Sequence, residues 1–225
     1  MMGALFRRPQ GVYTVARGMT SELGPLRAGS TSDPIRCAIL ISGSGSGMQA
    51  MVIHQQTHLE CGHRTMVVIS DQPDASGLAK AERLGIPTRL IALPEETDRS
   101  TRRLQHEQQI QLLLEEHEVE LILLSGYMRL VSPEFVDRWT QRVINIHPSL
   151  LPMFPGAHAH RDVLAAGVEV SGCTVHYVDA GMDSGEILGQ RRVPVFTDDD
   201  ESSLAERVKI EEHQLYPEVI DRIAM

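Results

Sequence analysis

From Arg36 onward, short β-branched runs alternate with longer stretches whose apolar residues recur at helical spacing. That alternation is the signature of a parallel α/β sheet flanked by helices. The runs predict strands over residues 36–42, 65–70, 87–91, 121–124 and 143–146. Between them, helices are expected around Met48, Met51 and Val52, over residues 75–84, and over residues 98–117 with Ile110, Leu113 and Leu114 on the apolar side. Ser132 supplies an N-cap and Pro133 a proline at the first helical position, so a short helix should run towards Trp139. After Pro155 the pattern changes to a helix over residues 160–166 and strands over residues 172–178 and 187–195. Asp200 caps a last helix that carries Leu204, Val208, Leu215 and Val219 at helical spacing. The expectation is one mostly parallel sheet of about seven strands in a single domain of two unequal halves.

With 42% apolar and 23% charged residues, the composition is that of an ordinary globular chain. A length of 225 residues suffices for an independent core. No apolar run approaches the roughly 20 residues of a membrane span. The net charge of -9 opposes broad binding to nucleic acid or to anionic membranes and leaves small-molecule chemistry as the expectation. Cys37, Cys61 and Cys173 form no C-x-x-C pair, which points to a reducing, cytoplasmic compartment. Residues 1–34 carry Arg7, Arg8, Arg17 and Arg27 against Glu22 and Asp33. They read as a disordered extension or as sequence ahead of a start near Met19, with an organelle-import leader as the alternative.

Chemistry concentrates in three places. The segment V-I-N-I-H-P-S-L-L-P ends a strand with Asn145 and His147 two residues apart, so both side chains point to one face. An amide donor beside a ring that exchanges protons near neutral pH suits acyl or one-carbon transfer. The loop from Gly43 to Gly47 joins a strand to a helix, where free N–H groups and the helix dipole attract a phosphate. It lacks the G-K-[ST] of a Walker loop and fits G-x-G-x-x-G poorly, although Asp71 keeps a dinucleotide site in play. Asp179 and Asp183 share a glycine-bearing loop, where either a partner for His147 or plain turn chemistry accounts for them. The histidines and cysteine at 54, 58, 61 and 63 have metal-like spacing, as have His158 and His160, but surface histidines cluster commonly without an ion and no metal is expected.

The stretches I-S-G-S-G-S-G-M-Q-A, S-G-Y-M-R-L-V-S and N-I-H-P-S-L-L-P, with the Asp183-Ser184-Gly185 loop, together resemble the phosphoribosylglycinamide formyltransferases of purine synthesis. The resemblance runs in order from Arg36 to Ile223. It implies a Rossmann-like formyltransferase fold over residues 35–225, with a nucleotide-phosphate half at about 35–140 and a folate and catalytic half at about 141–225. It implies an enzyme that passes a formyl group from 10-formyltetrahydrofolate, its co-substrate, to the amine of glycinamide ribonucleotide. By position, Asn145, His147 and Asp183 match the catalytic trio, and Gly45, Ser46, Gly47, Lys209 and Glu212 match contacts to the nucleotide. Met128, Arg129, Leu130 and Val131 match the lining of the pterin pocket. Ser149, Thr174 and His176 match supporting residues, and Leu151-Pro152 a turn in which the family places a cis proline. Gly47 departs from the pattern, standing where the family usually has Asn. Weaker nucleotide affinity, or an altered substrate, is the expected consequence.

Related readings remain. Formyltetrahydrofolate deformylase uses a similar trio but normally carries an N-terminal regulatory domain, for which the stretch before Ile35 is too short. Methionyl-tRNA formyltransferase adds a C-terminal tRNA domain. A non-catalytic folate- or nucleotide-binding module would not need the trio, and a nicotinamide-dependent dehydrogenase has no recognisable hydride site here. A monomer or a homodimer is compatible with everything above.

Overall fold

The computed structural model describes residues 24–96 and 98–225. The extension expected over residues 1–34 lies outside them as far as residue 23. Its remainder lies against the body: Arg27 pairs with Glu120 at 2.7 Å, and the Gly29 N–H donates to the Ala224 carbonyl at 2.7 Å.

The strands are β1 (Ile35–Ile41), β2 (His63–Ser70), β3 (Thr88–Leu90), β4 (Leu121–Leu124), β5 (Val143–His147), β6 (Val170–Tyr177) and β7 (Ile187–Pro194). The helices are α1 (Ser46–Thr57), α2 (Ser76–Arg83), α3 (Arg99–Glu116), α4 (Pro133–Arg138), α5 (Ala159–Ala166) and α6 (Glu201–Ala224). One sheet of seven strands runs in the order β3-β2-β1-β4-β5-β6-β7. β1 to β5 are parallel, β6 runs antiparallel to β5, and β7 runs antiparallel to β6. The fold is Rossmann-like, and every element that the pattern predicts is present.

Period-two alternation divides the central strands between two cores. Ile39, Ile41, Leu121 and Leu123 face α1 and α6, packing with Met48, Leu204 and Val208. Ala38, Leu40, Ile122 and Leu124 face α3 and α4, packing with Ile110, Phe135 and Trp139. Each fully buried side chain of this kind contributes about 1.5–3 kcal/mol. Caps fix where the helices begin. Ser132 accepts from the Phe135 N–H, and Asp200 and Ser203 form a reciprocal capping box. The buried Tyr216 hydroxyl donates to the Ile144 carbonyl at 2.8 Å and pins α6 beneath β4 and β5.

This strand order creates a switch point. The chain leaving β1 turns to one side of the sheet and the chain leaving β4 to the other, which opens a crevice at their carboxyl ends. The Ser42 N–H donates to the Gly126 carbonyl across it at 3.0 Å.

Candidate active site

β5 delivers Asn145 and His147 to one face, as the spacing requires. His147 is buried, and one of its ring nitrogens, Nε2, lies 2.8 Å from the Phe154 carbonyl. A carbonyl only accepts, so Nε2 carries the hydrogen and Nδ1 is left facing Asp183 at 3.4 Å. Asp183 sits at φ 51°, in a left-handed region that Asp tolerates better than most residues, and its carboxylate also accepts from the Gly156 N–H at 2.8 Å. Asp179 does something else. It accepts from the Gly181 N–H and the Ser184 hydroxyl of its own loop. One carboxylate of this loop therefore faces His147, and the other holds the turn.

His176 aims Asn145. Its Nδ1 donates to the Tyr177 carbonyl at 2.8 Å, so its Nε2 accepts from the Asn145 amide at 3.2 Å. Burial pushes the His176 pKa below the usual histidine range. A protonated Nε2 would set two donors face to face, so the hydrogen bond and the burial favour the same neutral ring. The amide's second N–H remains for a ligand. Thr174 and Ser149 lie deeper. Thr174 donates to the Ser149 carbonyl at 2.6 Å and accepts from the Leu151 N–H, and the Ser149 hydroxyl donates to the Met153 carbonyl at 2.7 Å. They hold the turn that contains the cis Leu151-Pro152 peptide and presents the Phe154 carbonyl to His147.

Asn145, His147, His176 and Asp183 line a cleft of about 440 Å³ together with the segment Met128, Arg129, Leu130 and Val131. Arg129 donates to Asp71 at 2.7 Å, Ser42 donates to the same carboxylate at 2.6 Å, and the Met128 N–H donates to Ser42 at 2.9 Å. Burial alone would raise the Asp71 carboxyl, but the bonds from Ser42, Arg129 and Gln72 hold it below the usual range. An Asp71 side chain occupied in this way is not available to a ribose, which removes the basis for a dinucleotide site. A smaller annex beside this segment is rimmed by Arg99, Arg102 and Arg103.

The phosphate-type loop lies next to the cleft without lining it. Gly45 has φ 65°, and a Cβ there would fall 2.8 Å from the Gly77 Cα, so glycine is required on two grounds. α1 opens with no side-chain cap and no acidic residue in its first turn, which leaves the N–H groups of Ser46, Gly47 and Met48 without partners inside the helix. A Cβ on Gly47 would fall 2.6 Å from the Ser125 hydroxyl oxygen, just past β4. Lys209 and Glu212 stand on α6, also outside the cleft lining. The Lys209 ammonium is held by Glu206, three residues earlier on the helix. Glu212 is pushed up to about 7 by burial, with Lys209 pulling the other way. His158 and His160 gather no third ligand among the described residues.

Asp71, Ser42, Ser125 and the Phe154 carbonyl are contributors that motif reading does not assign to this site. Asp71 and Ser42 did stand directly after strands, the usual place for site residues in parallel sheets. A backbone carbonyl leaves no such trace.

Comparison with known proteins bears on this geometry. The profile of the formyl transferase family matches residues 35–220. The phosphoribosylglycinamide formyltransferase of Escherichia coli is 38% identical over 188 residues, covering 83% of this chain and 85% of that one. The human trifunctional purine biosynthetic protein adenosine-3 is 42% identical over 189 residues, 84% of this chain, but the chain spans only 18% of that protein's length. Among solved structures, glycinamide ribonucleotide transformylase 1 from Symbiobacterium toebii superposes with a TM-score of 0.79 at 41% identity, covering 85% of this chain and 88% of that one. Phosphoribosylglycinamide formyltransferase from Brucella melitensis gives 0.78 at 41% identity, covering 85% and 96%.

Proposed function

The chain belongs to the formyl transferase family, and we propose that it moves the formyl group of 10-formyltetrahydrofolate to the amine of glycinamide ribonucleotide, a step of de novo purine (IMP) biosynthesis. The observation that carries this reading is the convergence of Asn145, His147 and Asp183 on one cleft that the Met128 to Val131 segment also lines. The amine attacks the formyl carbon, and negative charge develops on the formyl oxygen. The free N–H of Asn145 and a protonated Nδ1 of His147 donate to that oxygen, and Asp183 stabilises the imidazolium. Expulsion of the folate nitrogen then needs a proton, and the amine must lose one. Asp183 and His147 are placed to pass it, through water where they do not reach. The folate's pterin sits against Met128, Arg129, Leu130 and Val131. The nucleotide's phosphate takes the N–H groups of Gly45, Ser46 and Gly47, with Lys209 and Glu212 holding its phosphate and amine. Three free cysteines suit a reducing, cytoplasmic setting.

Asn145→Ala removes one oxyanion donor and is expected to lower kcat about 100- to 1,000-fold with the fold retained. Steady-state kinetics measures it, and a rate within about tenfold of the parent contradicts the role.

A further inference from the structure

A second cluster of reactive side chains lies at the opposite end of the parallel strands. The fold brings Asp221, near the end of α6, to His54 of α1, His63 at the start of β2 and Cys61 just before it. His54 Nε2 lies 2.8 Å from one Asp221 oxygen and His63 Nε2 lies 2.9 Å from the other. The Cys61 sulfur is 3.8 Å from that second oxygen. Each residue offers one ligand atom, and all four atoms lie within 4.8 Å of one another. We propose that His54, Cys61, His63 and Asp221 form a binding site for one divalent transition-metal ion of the zinc type, tying α1, β2 and α6 together. The site is independent of the cleft and of the reaction assigned to it.

The donor set selects the ion class. One thiolate, two imidazoles and one carboxylate match four-coordinate zinc, whereas magnesium and calcium demand oxygen ligands. Ligand atoms on a tetrahedral zinc stand about 3.3–3.8 Å apart, given bonds of about 2.0–2.3 Å, so the His contact to the bound Asp221 oxygen opens by roughly half an ångström and the widest separations, within 4.8 Å, close by up to about 1 Å. The surroundings restrict the ligands to this end of the sheet. The His63 side chain is fully buried, that of Asp221 is 25% exposed, and the His54 ring stacks on His58 with centroids 3.8 Å apart.

The Gln55 carbonyl oxygen accepts from the Thr65 N–H at 2.9 Å, which turns its amide N–H towards His63 Nδ1, also at 2.9 Å. His63 therefore carries its hydrogen on Nε2 and donates it to Asp221. Metal binding takes that position: the Cys61 thiol gives its proton to solvent, and each histidine moves its hydrogen from Nε2 to Nδ1. Gln55 then turns over so that its oxygen meets the His63 Nδ1–H, giving up the bonds it accepts from the Thr65 N–H and the Thr65 hydroxyl while four metal bonds form. This supporting contact gives the proposal a signature beyond the ligands. In Gln55→Glu, one carboxylate oxygen accepts from His63 Nδ1–H while the other keeps the Thr65 bond.

The test is titration of the chelator-stripped full chain with Co²⁺ and then Zn²⁺, followed by absorption and thermal unfolding. The expected result is one Co²⁺ per chain with intense tetrahedral visible bands and a thiolate-to-cobalt charge-transfer band, displaced by Zn²⁺ with a rise in Tm. Cys61→Ser should abolish the charge-transfer band, and Gln55→Glu should tighten binding roughly 10- to 100-fold. Absence of saturable binding, a charge-transfer band that survives Cys61→Ser, or weaker binding in Gln55→Glu overturns the proposal.

Discussion

Gly47 opens α1 without a side chain, and Ser125 is the structural counterpart of that gap. The serine hydroxyl stands where a Cβ at position 47 would fall, 2.6 Å away, while the Ser125 Cβ is at an ordinary 3.9 Å. Asparagine at position 47 therefore requires the Ser125 hydroxyl to rotate away, and Ser125→Ala removes that obstacle. The two positions are expected to couple by about 0.5–1.5 kcal/mol. Gly47→Asn should tighten glycinamide ribonucleotide binding, and adding Ser125→Ala, which removes the hydroxyl that must otherwise rotate, should tighten it further. Calorimetric titration of the four combinations measures this, and strictly additive effects would show the pair to be unlinked. At this scale the sequence was readable where a residue's chemistry is local. Asn145 and His147 share a face because strands alternate, and Asp200 and Ser132 cap because caps sit at fixed offsets. The Ser125 contact, the Gln55 bonds and the arrival of Asp221 beside His63 join positions distant in sequence. No spacing rule announces them.

Among the elements, the segment after β4 is held by a carboxylate at the end of β2. Asp71 ties Arg129 and, through Ser42, the Met128 backbone to the ends of β1 and β2. Asp71→Asn keeps the shape but weakens the charge-assisted bond to Arg129, so the proposed pterin wall loosens while the trio stays in place. KM for the formyl folate should rise several-fold with kcat changed much less. Equal losses in kcat and kcat/KM would assign Asp71 to the chemistry instead. Strand and helix identities were legible because both periods are strong in this chain, and Leu121–Leu124 is buried throughout. Strand ends were less so. β5 continues through His147, which pairs with Thr174, and β6 begins at Val170, which pairs with Pro194 of β7, so the ladders extend past the apolar runs. The reversed direction of β6 between β5 and β7 also depends on partners rather than on pattern.

Across the whole molecule, the order β3-β2-β1-β4-β5-β6-β7 gathers these parts. The crevice between the ends of β1 and β4 puts the phosphate-type loop and Ser125 beside the cleft, and the antiparallel β6 brings His176 next to Asn145. The His54 to Asp221 cluster lies at the other end of the strands, so loading it with metal should leave turnover unchanged. The sequence made the site recognisable as a family constellation, whereas its working parts, such as the carbonyl that fixes the His147 hydrogen, depend on the fold. Formyl transfer to an amine rather than to water is the central claim, and release of tetrahydrofolate from 10-formyltetrahydrofolate, followed with and without glycinamide ribonucleotide, tests it most directly. Release that requires the nucleotide and matches formylated product mole for mole is the predicted result. Release at the same rate without the nucleotide would contradict the account and make the protein a hydrolase.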